Sequence, residues 1–296
     1  MSKLSENLKK KFIITCEIVP PRGPDLKNFI GEIQEIKKFK SKIYGINVVD
    51  NPGSMLLMSS LAASILLMQN GIEPIFQLTC RDRNVLALES DLIAASAFGI
   101  ENVLALTGDH PQCRSSDHKF AKPVFELDSV KLIRLMKQMN QGKDAAGKDL
   151  NKPTNFFIGA ALAPSAFSKE AEALKTKKKL DAGVNFFQTQ VTFYAPIVEE
   201  FLNIYERMFK EDIRKIVLLG IVPLYSYEMI KYLLMIPGVY IPDSVKQRMK
   251  NAQDKMEAGI EIALELIDKA RDLGLGGAHV MPAGKMVVLE KLLGEL

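Results

Sequence analysis

Short runs of apolar residues alternate along the whole chain with longer stretches in which apolar residues recur every three or four positions. A run of four to eight apolar, β-branched residues is typical of a buried strand, and the longer spacing is typical of an amphipathic helix. The pattern therefore predicts eight strands joined by helices. The predicted strands are 12–19, 44–49, 74–80, 102–106, 156–162, 185–191, 215–222 and 277–281.

Helices are predicted between and after these strands, with Asp25 as an N-cap and with Gly71 and Gly99 as stop signals. The predicted helices are 25–39, 54–69, 84–98, 128–140, 168–182, 195–209, 226–235, 254–273 and 285–293. The polar segment 112–124 predicts a long loop, and the stretch that holds Pro237 and Pro242 predicts irregular chain.

Repeated alternation of strand and helix predicts a parallel sheet that is covered by helices. Eight such units in 296 residues predict a single (β/α)₈ barrel that occupies residues 1–296. A doubly wound sheet is the alternative, but it would carry a glycine-rich phosphate turn, and the chain contains no G-x-G-x-x-G motif. No linker divides the chain into two domains.

Charge and cysteine content narrow the class of protein. The 39 basic and 35 acidic residues give a net charge of +4, too small an excess to indicate a nucleic-acid partner. Three cysteines without metal-ligand spacing fit a reducing compartment, and no apolar run is long enough to cross a membrane. We therefore expect a cytoplasmic protein. The basic cluster 175–179 (KTKKK) is either a solvated helix face or an anion site.

Reactive groups of a (β/α)₈ barrel lie at the C-terminal ends of its strands. Many polar residues follow or end the predicted strands, and they are the candidate site residues. They are Glu17, Asp50, Asn51, Gln77, Thr79, Arg81, Asp82, Thr107, Asp109, His110, Gln188, Gln190, Tyr225, Tyr227 and His279.

Glu17 is a carboxylate inside the apolar strand of "FIITCEIVPPRG". A buried charge is unfavourable unless it has a partner or a chemical role. Alternation along the strand puts Thr15 and Glu17 on one face, which we expect to point into the barrel. Because burial favours the neutral form of a carboxyl group, Glu17 is suited to donate a proton.

Two hydrolytic chemistries fit the sequence poorly. A pair of strand-end carboxylates could cleave a glycosidic bond, but the chain has no Trp for stacking sugars and its seventh strand ends without a carboxylate. The three histidines lack metal-ligand spacing, and His279 is interpreted as a hydrogen-bonded barrel residue. No metal site is predicted.

Amides and aromatic rings at the strand ends suit the binding of a flat heterocycle. Gln188 and Gln190 share a face, and an amide offers both a donor and an acceptor to a pterin or a flavin. Tyr227 could stack on such a ring. Both residues could instead have a purely structural role. Tyr227 could pack at the start of a helix, and Gln190 could form a hydrogen bond within the barrel.

Five segments in order resemble the methylenetetrahydrofolate reductase family: "CEIVPPRG", "QLTCRDRN", "LALTGDHP", "KKKLDAGVNFFQTQ" and "GIVPLYSYEMI". The resemblance covers residues 12–294 and implies a flavin-dependent (β/α)₈ barrel. It also implies the family's reaction, the reduction of 5,10-methylenetetrahydrofolate to 5-methyltetrahydrofolate.

The resemblance implies roles for ten residues of this chain. Glu17 matches the general acid, and Asp109 matches an aspartate beside flavin and folate. Gln190 matches a pterin-binding glutamine, and Tyr227 matches an aromatic residue that stacks on folate. Lys179 matches a lysine at the flavin phosphates, and Glu172 matches an acidic residue near the ribose. The implied flavin-binding residues are Gln77, Thr79, Thr107, Gly108, Asp109, Glu172 and Lys179.

The chain departs from the family pattern at three places. Val49 and Asp50 stand where threonine followed by tyrosine is common. Gln77 stands where histidine is common, and Leu162 stands where tyrosine is common. The resemblance implies that these positions line the flavin pocket, so FAD is expected and FMN stays open. The chain is similar to the short microbial members of the family. Some of these members work with a small subunit that holds iron-sulfur and zinc centres. The electron donor is therefore NAD(P)H or a protein, and an oligomer is expected.

Two alternatives stay open beside this activity. The chain could be the flavin subunit of an electron-transfer complex that cannot use NAD(P)H alone. It could also be a flavin-free folate reductase of the same fold. The sequence alone does not separate these alternatives.

Overall fold

Eight parallel strands close into a barrel in a computed structural model that describes residues 1–236 and 238–296. Each strand pairs with its neighbour in sequence order, and the eighth strand pairs with the first. The predicted (β/α)₈ barrel is confirmed. The strands are β1 Ile13–Ile18, β2 Ile43–Val48, β3 Pro74–Thr79, β4 Asn102–Leu106, β5 Phe157–Leu162, β6 Phe186–Thr189, β7 Val217–Ile221 and β8 Gly277–Val280.

Helices cover the outside of the barrel and bury their apolar faces against the strands. They are α1 Lys3–Asn7, α2 Lys27–Lys38, α3 Ser60–Gln69, α4 Val85–Ala97, α5 Ser129–Met139, α6 Lys169–Ala182, α7 Ala195–Phe209, α8 Glu228–Leu233, α9 Asp243–Asn251, α10 Lys255–Asp272 and α11 Met286–Glu295. Across the described ranges, none of these helices pairs the length and the apolar character that a bilayer crossing requires.

Three helices, α1, α3 and α9, differ clearly from the sequence prediction, and the N-cap of α2 is Leu26 and not the predicted Asp25. Helix α3 begins at Ser60 and not at residue 54, because Asn51, Gly53 and Ser54 take positive φ angles in a tight turn. Helix α1 was not predicted. Its residue Leu4 is fully buried in the core, and burial of an apolar side chain favours this short helix.

Helix α9 lies in the stretch that the sequence predicts to be irregular. It begins directly after Pro242, which suits the start of a helix because proline has no N–H to leave unpaired. Pro237, the other proline of this stretch, lies outside the described residues.

The strand register shows which side chains point into the barrel. Asn47 of β2 and Gln188 of β6 join their amides by two hydrogen bonds of 2.6 and 3.1 Å, although the two strands are not neighbours. These bonds must cross the interior. Glu17 pairs in register with Asn47, so Glu17 also faces inward, as the alternation along β1 predicts.

Aromatic rings fill the N-terminal half of this interior. Phe157 and Phe186 stack with ring centroids 5.5 Å apart, and a side chain at Gly159 would lie 2.3 Å from the Phe186 ring. Polar residues and small residues occupy the next level toward the C-terminal ends of the strands. The barrel therefore has an apolar floor below a polar mouth.

Gly220 of β7 lets β6 approach closely, and this contact can be tested. A Cβ atom there would lie 2.3 Å from the Thr189 carbonyl oxygen, which is backbone and cannot swing away. We expect Gly220→Ala to lower the free energy of unfolding by about 1–3 kcal/mol, measured by urea denaturation. Gly31→Ala is the matched control. Gly31 lies in α2 with open space around it, so alanine should stabilise by about 0.5–1 kcal/mol. An unchanged midpoint for Gly220→Ala would show that the strands are looser than described.

Candidate active site

Glu17 lies near the end of β1, and its carboxylate faces an imidazole. Glu17 Oε2 is 3.8 Å from His279 Nε2, and the other ring nitrogen, Nδ1, is 3.0 Å from the Thr15 hydroxyl. The Glu17 side chain is 18% exposed and that of His279 is 4% exposed. The carboxylate thus reaches the mouth while the imidazole is buried. His279 is hydrogen-bonded within the barrel, as the sequence indicates, but its approach to Glu17 was not foreseen.

The two glutamines at the end of β6 differ in their hydrogen bonds. Gln188 is bonded to Asn47 across the barrel, a partner that the sequence did not reveal. Gln190 is half-buried just beyond β6, and its backbone N–H donates to the Leu162 carbonyl at 2.7 Å. Within the described residues its side-chain amide makes no hydrogen bond. That amide can therefore bind a ligand.

Asp109 follows β4 in a loop that depends on Gly108. Gly108 has φ +93°, and a Cβ atom there would lie 2.9 Å from the Cβ of Arg81. The exposed Asp109 carboxylate accepts a hydrogen bond of 2.9 Å from the Gly53 N–H of the loop after β2. Only one carboxylate oxygen is used in this bond. The neighbouring Thr107 hydroxyl accepts from the Ser129 N–H at the start of α5, at 3.1 Å.

Thr79 is tied to a buried ion pair at the end of β3. Its N–H and its hydroxyl each donate to Asp50 Oδ2 at 2.8 Å, and Arg83 Nη1 donates to the same oxygen at 2.7 Å. Burial opposes the charge on Arg83, but Asp50 and Asp91 outweigh it and raise the pKa of the guanidinium. The guanidinium therefore stays charged. The Thr79 hydroxyl hydrogen is committed to Asp50, so toward a ligand this hydroxyl can act only as an acceptor.

Gln77 also points into the mouth. It precedes Thr79 by two residues on β3, where it pairs in register with Leu104 of β4, and its backbone carbonyl accepts a hydrogen bond of 3.0 Å from the Ser60 hydroxyl. Every fully buried side-chain polar atom of the described residues has a hydrogen-bond partner. The Gln77 amide, for which the described residues provide none, therefore reaches solvent at the mouth.

Lys179 and Glu172 of α6 hold the end of β5. Lys179 is buried and its Nζ donates to the Ala161 carbonyl at 2.5 Å, while Glu172 accepts from the Ala163 N–H at 3.1 Å. Burial lowers the pKa of Lys179 to about 8; nearby Lys175 adds to this effect and Glu172 opposes it. The ammonium group thus lies beneath the strand end and is not on the surface of the helix.

The position of Leu162 differs from the prediction. The sequence comparison with the family placed Leu162 in the flavin pocket, but its side chain is buried in the core. Ala161 is in register with Gln188, which points inward, and Ala161 is exposed. The alternation of β5 therefore presents Ala161 to the mouth, and a small residue there leaves the mouth open.

Tyr227 is half-buried immediately before α8 and packs against the core. Its neighbour Tyr225 lies under the Lys285 ammonium, which is 4.3 Å from the ring centroid. The two rings stand at the β7 side of the barrel. The Lys285 ammonium at one ring and the incomplete burial of the other make this side suitable for a flat, anionic ligand.

The fold and the site together are those of a (β/α)₈-barrel enzyme. A carboxyl group, amides and hydroxyls lie at the C-terminal mouth of the barrel. The family model of methylenetetrahydrofolate reductase matches residues 2–292. The chain belongs to the methylenetetrahydrofolate reductase family, a family of oxidoreductases.

Known proteins resemble the chain over most of its length. The 5,10-methylenetetrahydrofolate reductase of Buchnera aphidicola subsp. Schizaphis graminum is 24% identical, over 98% of this chain and 93% of the relative. The enzyme of the same name from Escherichia coli K12 is 25% identical, over 86% and 80%. A Clostridium thermocellum protein that binds two copies of 5-methyl-5,6,7,8-tetrahydrofolic acid superposes with a TM-score of 0.70 at 16% identity, over 99% and 97%. That likeness supports the fold.

Proposed function

We propose that this protein reduces 5,10-methylenetetrahydrofolate to 5-methyltetrahydrofolate, with a bound flavin as its redox cofactor. The observation that carries the proposal is the Glu17 carboxyl group, which reaches the barrel mouth on the inward face of β1. Membership of the family and the names of two relatives support the same reaction. The folate bound by the Clostridium thermocellum protein supports the substrate class.

Glu17 is the general acid of the proposed reaction. The five-membered ring of the substrate must open before its methylene carbon can accept hydride. The Glu17 O–H bond breaks, a new N–H bond forms on the substrate, and the C–N bond gives its electron pair to that nitrogen. The remaining iminium cation is stabilised by Asp109, whose carboxylate is exposed and bound at one oxygen.

The residues at the mouth fit a flavin. The amide of Gln77 has no side-chain hydrogen bond to the residues that the structure describes and can pair with the polar edge of a flat ring, and exposed Ala161 leaves room beside it. Thr79, Thr107, Gly108 and Asp109 form the adjoining rim. A bound, reduced flavin would supply the hydride.

Lys179 and Glu172 are proposed to hold the phosphate and ribose parts of the flavin from the β5–α6 side. For the folate, the Gln190 amide would bind the pterin and Tyr227 would stack on it. Both side chains are half-buried, so each has one part fixed by the protein and one part open to a ligand. All three cysteines are free thiols, and we place the reaction in the cytoplasm.

The cofactor and the electron donor are tested together. Flavin released from the purified protein would identify FAD, which we propose, or FMN. Turnover is then measured with NADH, NADPH and reduced viologen as donors. Activity with viologen but not with NAD(P)H would support a protein donor, such as a small iron-sulfur subunit. Folate reduction by flavin-free protein would contradict the flavin-dependent reaction.

The low pKa of Lys179 predicts that flavin binding depends on pH. The ammonium is charged below about pH 8 and neutral above it, so its attraction for a phosphate is lost as the pH rises. We expect the flavin affinity to fall by up to about tenfold per pH unit above this value, measured by fluorescence titration. Lys179→Met should remove the dependence, whereas Lys178→Met, on the exposed face of α6, should keep it. Equal pH dependence in both variants would refute the phosphate contact.

A further inference from the structure

Thr15, His279 and Glu17 form a chain of three side chains on neighbouring strands. Thr15 and Glu17 lie on the inward face of β1, and His279 is in register with Thr15 on β8. One imidazole nitrogen contacts the Thr15 hydroxyl at 3.0 Å and the other faces the Glu17 carboxylate at 3.8 Å. Both nitrogens of a buried imidazole are thus directed at named partners.

We propose that His279 is a positioning residue for Glu17, with Thr15 holding the imidazole in the tautomer that this task requires. The inference rests on the proposed function, because the proton that Glu17 donates belongs to that reaction. His279 itself gives up no proton and touches no substrate.

The tautomer follows from the donors and acceptors present. A neutral imidazole has one N–H donor and one acceptor nitrogen. A carboxylate accepts hydrogen bonds, so the nitrogen that faces Glu17, Nε2, must carry the hydrogen. Nδ1 is then the acceptor, and the Thr15 hydroxyl donates to it. Without that hydroxyl the two tautomers would compete, and one of them would turn a lone pair toward Glu17.

The chemical effect is to favour the charge that Glu17 acquires. The Nε2–H can donate to Oε2 both before and after proton transfer, which leaves Oε1–H to face the substrate. After transfer the bond is charge-assisted and therefore stronger. The stabilisation is greater for the ionised product than for the neutral acid, which is what accelerates a proton transfer. The 3.8 Å separation is longer than a hydrogen bond, so the proposal requires the contact to tighten in the substrate complex, as catalytic hydrogen bonds often do.

The surroundings leave Glu17 as the ionisable partner. The β7 residue in register with His279 is Gly220, which has no side chain. Across the interior, the neutral amides of Asn47 and Gln188 are bonded to each other. Within the described residues, Glu17 is the acidic group that approaches the imidazole within 4 Å.

Four variants test this role, with each rate divided by the variant's own flavin content. His279→Leu removes the donor, and His279→Gln replaces Nε2–H with an amide N–H. Thr15→Val removes the hydroxyl and keeps the shape of the side chain, and Thr15→Ser keeps the hydroxyl. We expect kcat for folate reduction to fall about ten- to a hundredfold in His279→Leu, with a smaller loss in Thr15→Val and partial recovery in His279→Gln.

The pH profile separates positioning from mere packing. Loss of the donated hydrogen bond makes Glu17 a weaker acid, so the fall in rate at high pH should move to higher pH in His279→Leu and Thr15→Val. Thr15→Ser should keep the wild-type profile. An unmoved profile in Thr15→Val would overturn the inference, even if His279→Leu does not fold. If the wild-type protein makes no 5-methyltetrahydrofolate, the proposed function is wrong. If the wild-type protein is active but the Thr15→Val profile does not move, only the role of His279 is wrong.

Discussion

The Glu17→Gln variant is expected to fold and to bind flavin but to reduce methylenetetrahydrofolate about 100 to 10,000 times more slowly than the wild-type protein. The amide has nearly the shape of the carboxyl group, yet it has no acidic proton to give to the substrate nitrogen. Its amide could still contact His279, so the barrel interior should keep its packing. The rate of 5-methyltetrahydrofolate formation per bound flavin is the measurement.

Glu199→Gln is the matched control for this variant. Glu199 is exposed on α7, outside the barrel, and its substitution removes the same charge at a distance from the mouth. Its rate should equal that of the wild-type protein. A Glu17→Gln variant that turns over as fast as Glu199→Gln would exclude Glu17 as the general acid.

The Asp50→Ala variant should lose about 3–5 kcal/mol in the free energy of unfolding. The Asp50 side chain is 1% exposed and accepts bonds from the Thr79 N–H, the Thr79 hydroxyl and Arg83. Its removal leaves a largely buried guanidinium with only part of its partners and a buried N–H with none. Denaturant unfolding, followed by circular dichroism, measures the loss.

Asp243→Ala is the control for Asp50→Ala. Asp243 also pairs with a cation, Lys246 at 2.9 Å, but its side chain is 92% exposed. Exposed pairs contribute about 0–1 kcal/mol, so this variant should unfold close to the wild-type midpoint. Equal effects of the two substitutions would show that the Asp50 network does not hold the loops after β2 and β3 together.

Local patterns in the sequence were sufficient for the barrel. Each strand is a short apolar run, and alternation along β1 was enough to orient Thr15 and Glu17. The start of α3 was wrong because a tight turn at Asn51–Ser54 depends on backbone angles that side-chain periodicity does not record. The short helices α1 and α9 offer too few turns to show a helical period.

Contacts between distant strands could not be predicted. Asn47 bonds Gln188 across the barrel, and His279 approaches Glu17 from the last strand. No pattern within a window of the sequence encodes such pairs, because they depend on how the barrel closes. The Val49–Asp50 departure from the family pattern is similar: only the fold shows that Asp50 is engaged by Arg83 and Thr79.

The basic cluster 175–179 had two interpretations from sequence, a solvated helix face or an anion site, and its lysines differ in their surroundings. Lys177 pairs with Asp181 and Glu211 on the outside of α6, as expected of a solvated helix face. Lys179 is buried against the Ala161 carbonyl. The difference arises from the helical period, which turns residues two positions apart toward opposite sides.

A single-turnover experiment tests the central claim most directly. Protein that carries reduced flavin is mixed with 5,10-methylenetetrahydrofolate in the absence of oxygen, and flavin absorbance and folate products are followed together. We predict that the flavin becomes oxidised as an equal amount of 5-methyltetrahydrofolate forms. A flavin that stays reduced while the substrate is recovered unchanged would contradict the proposed reaction.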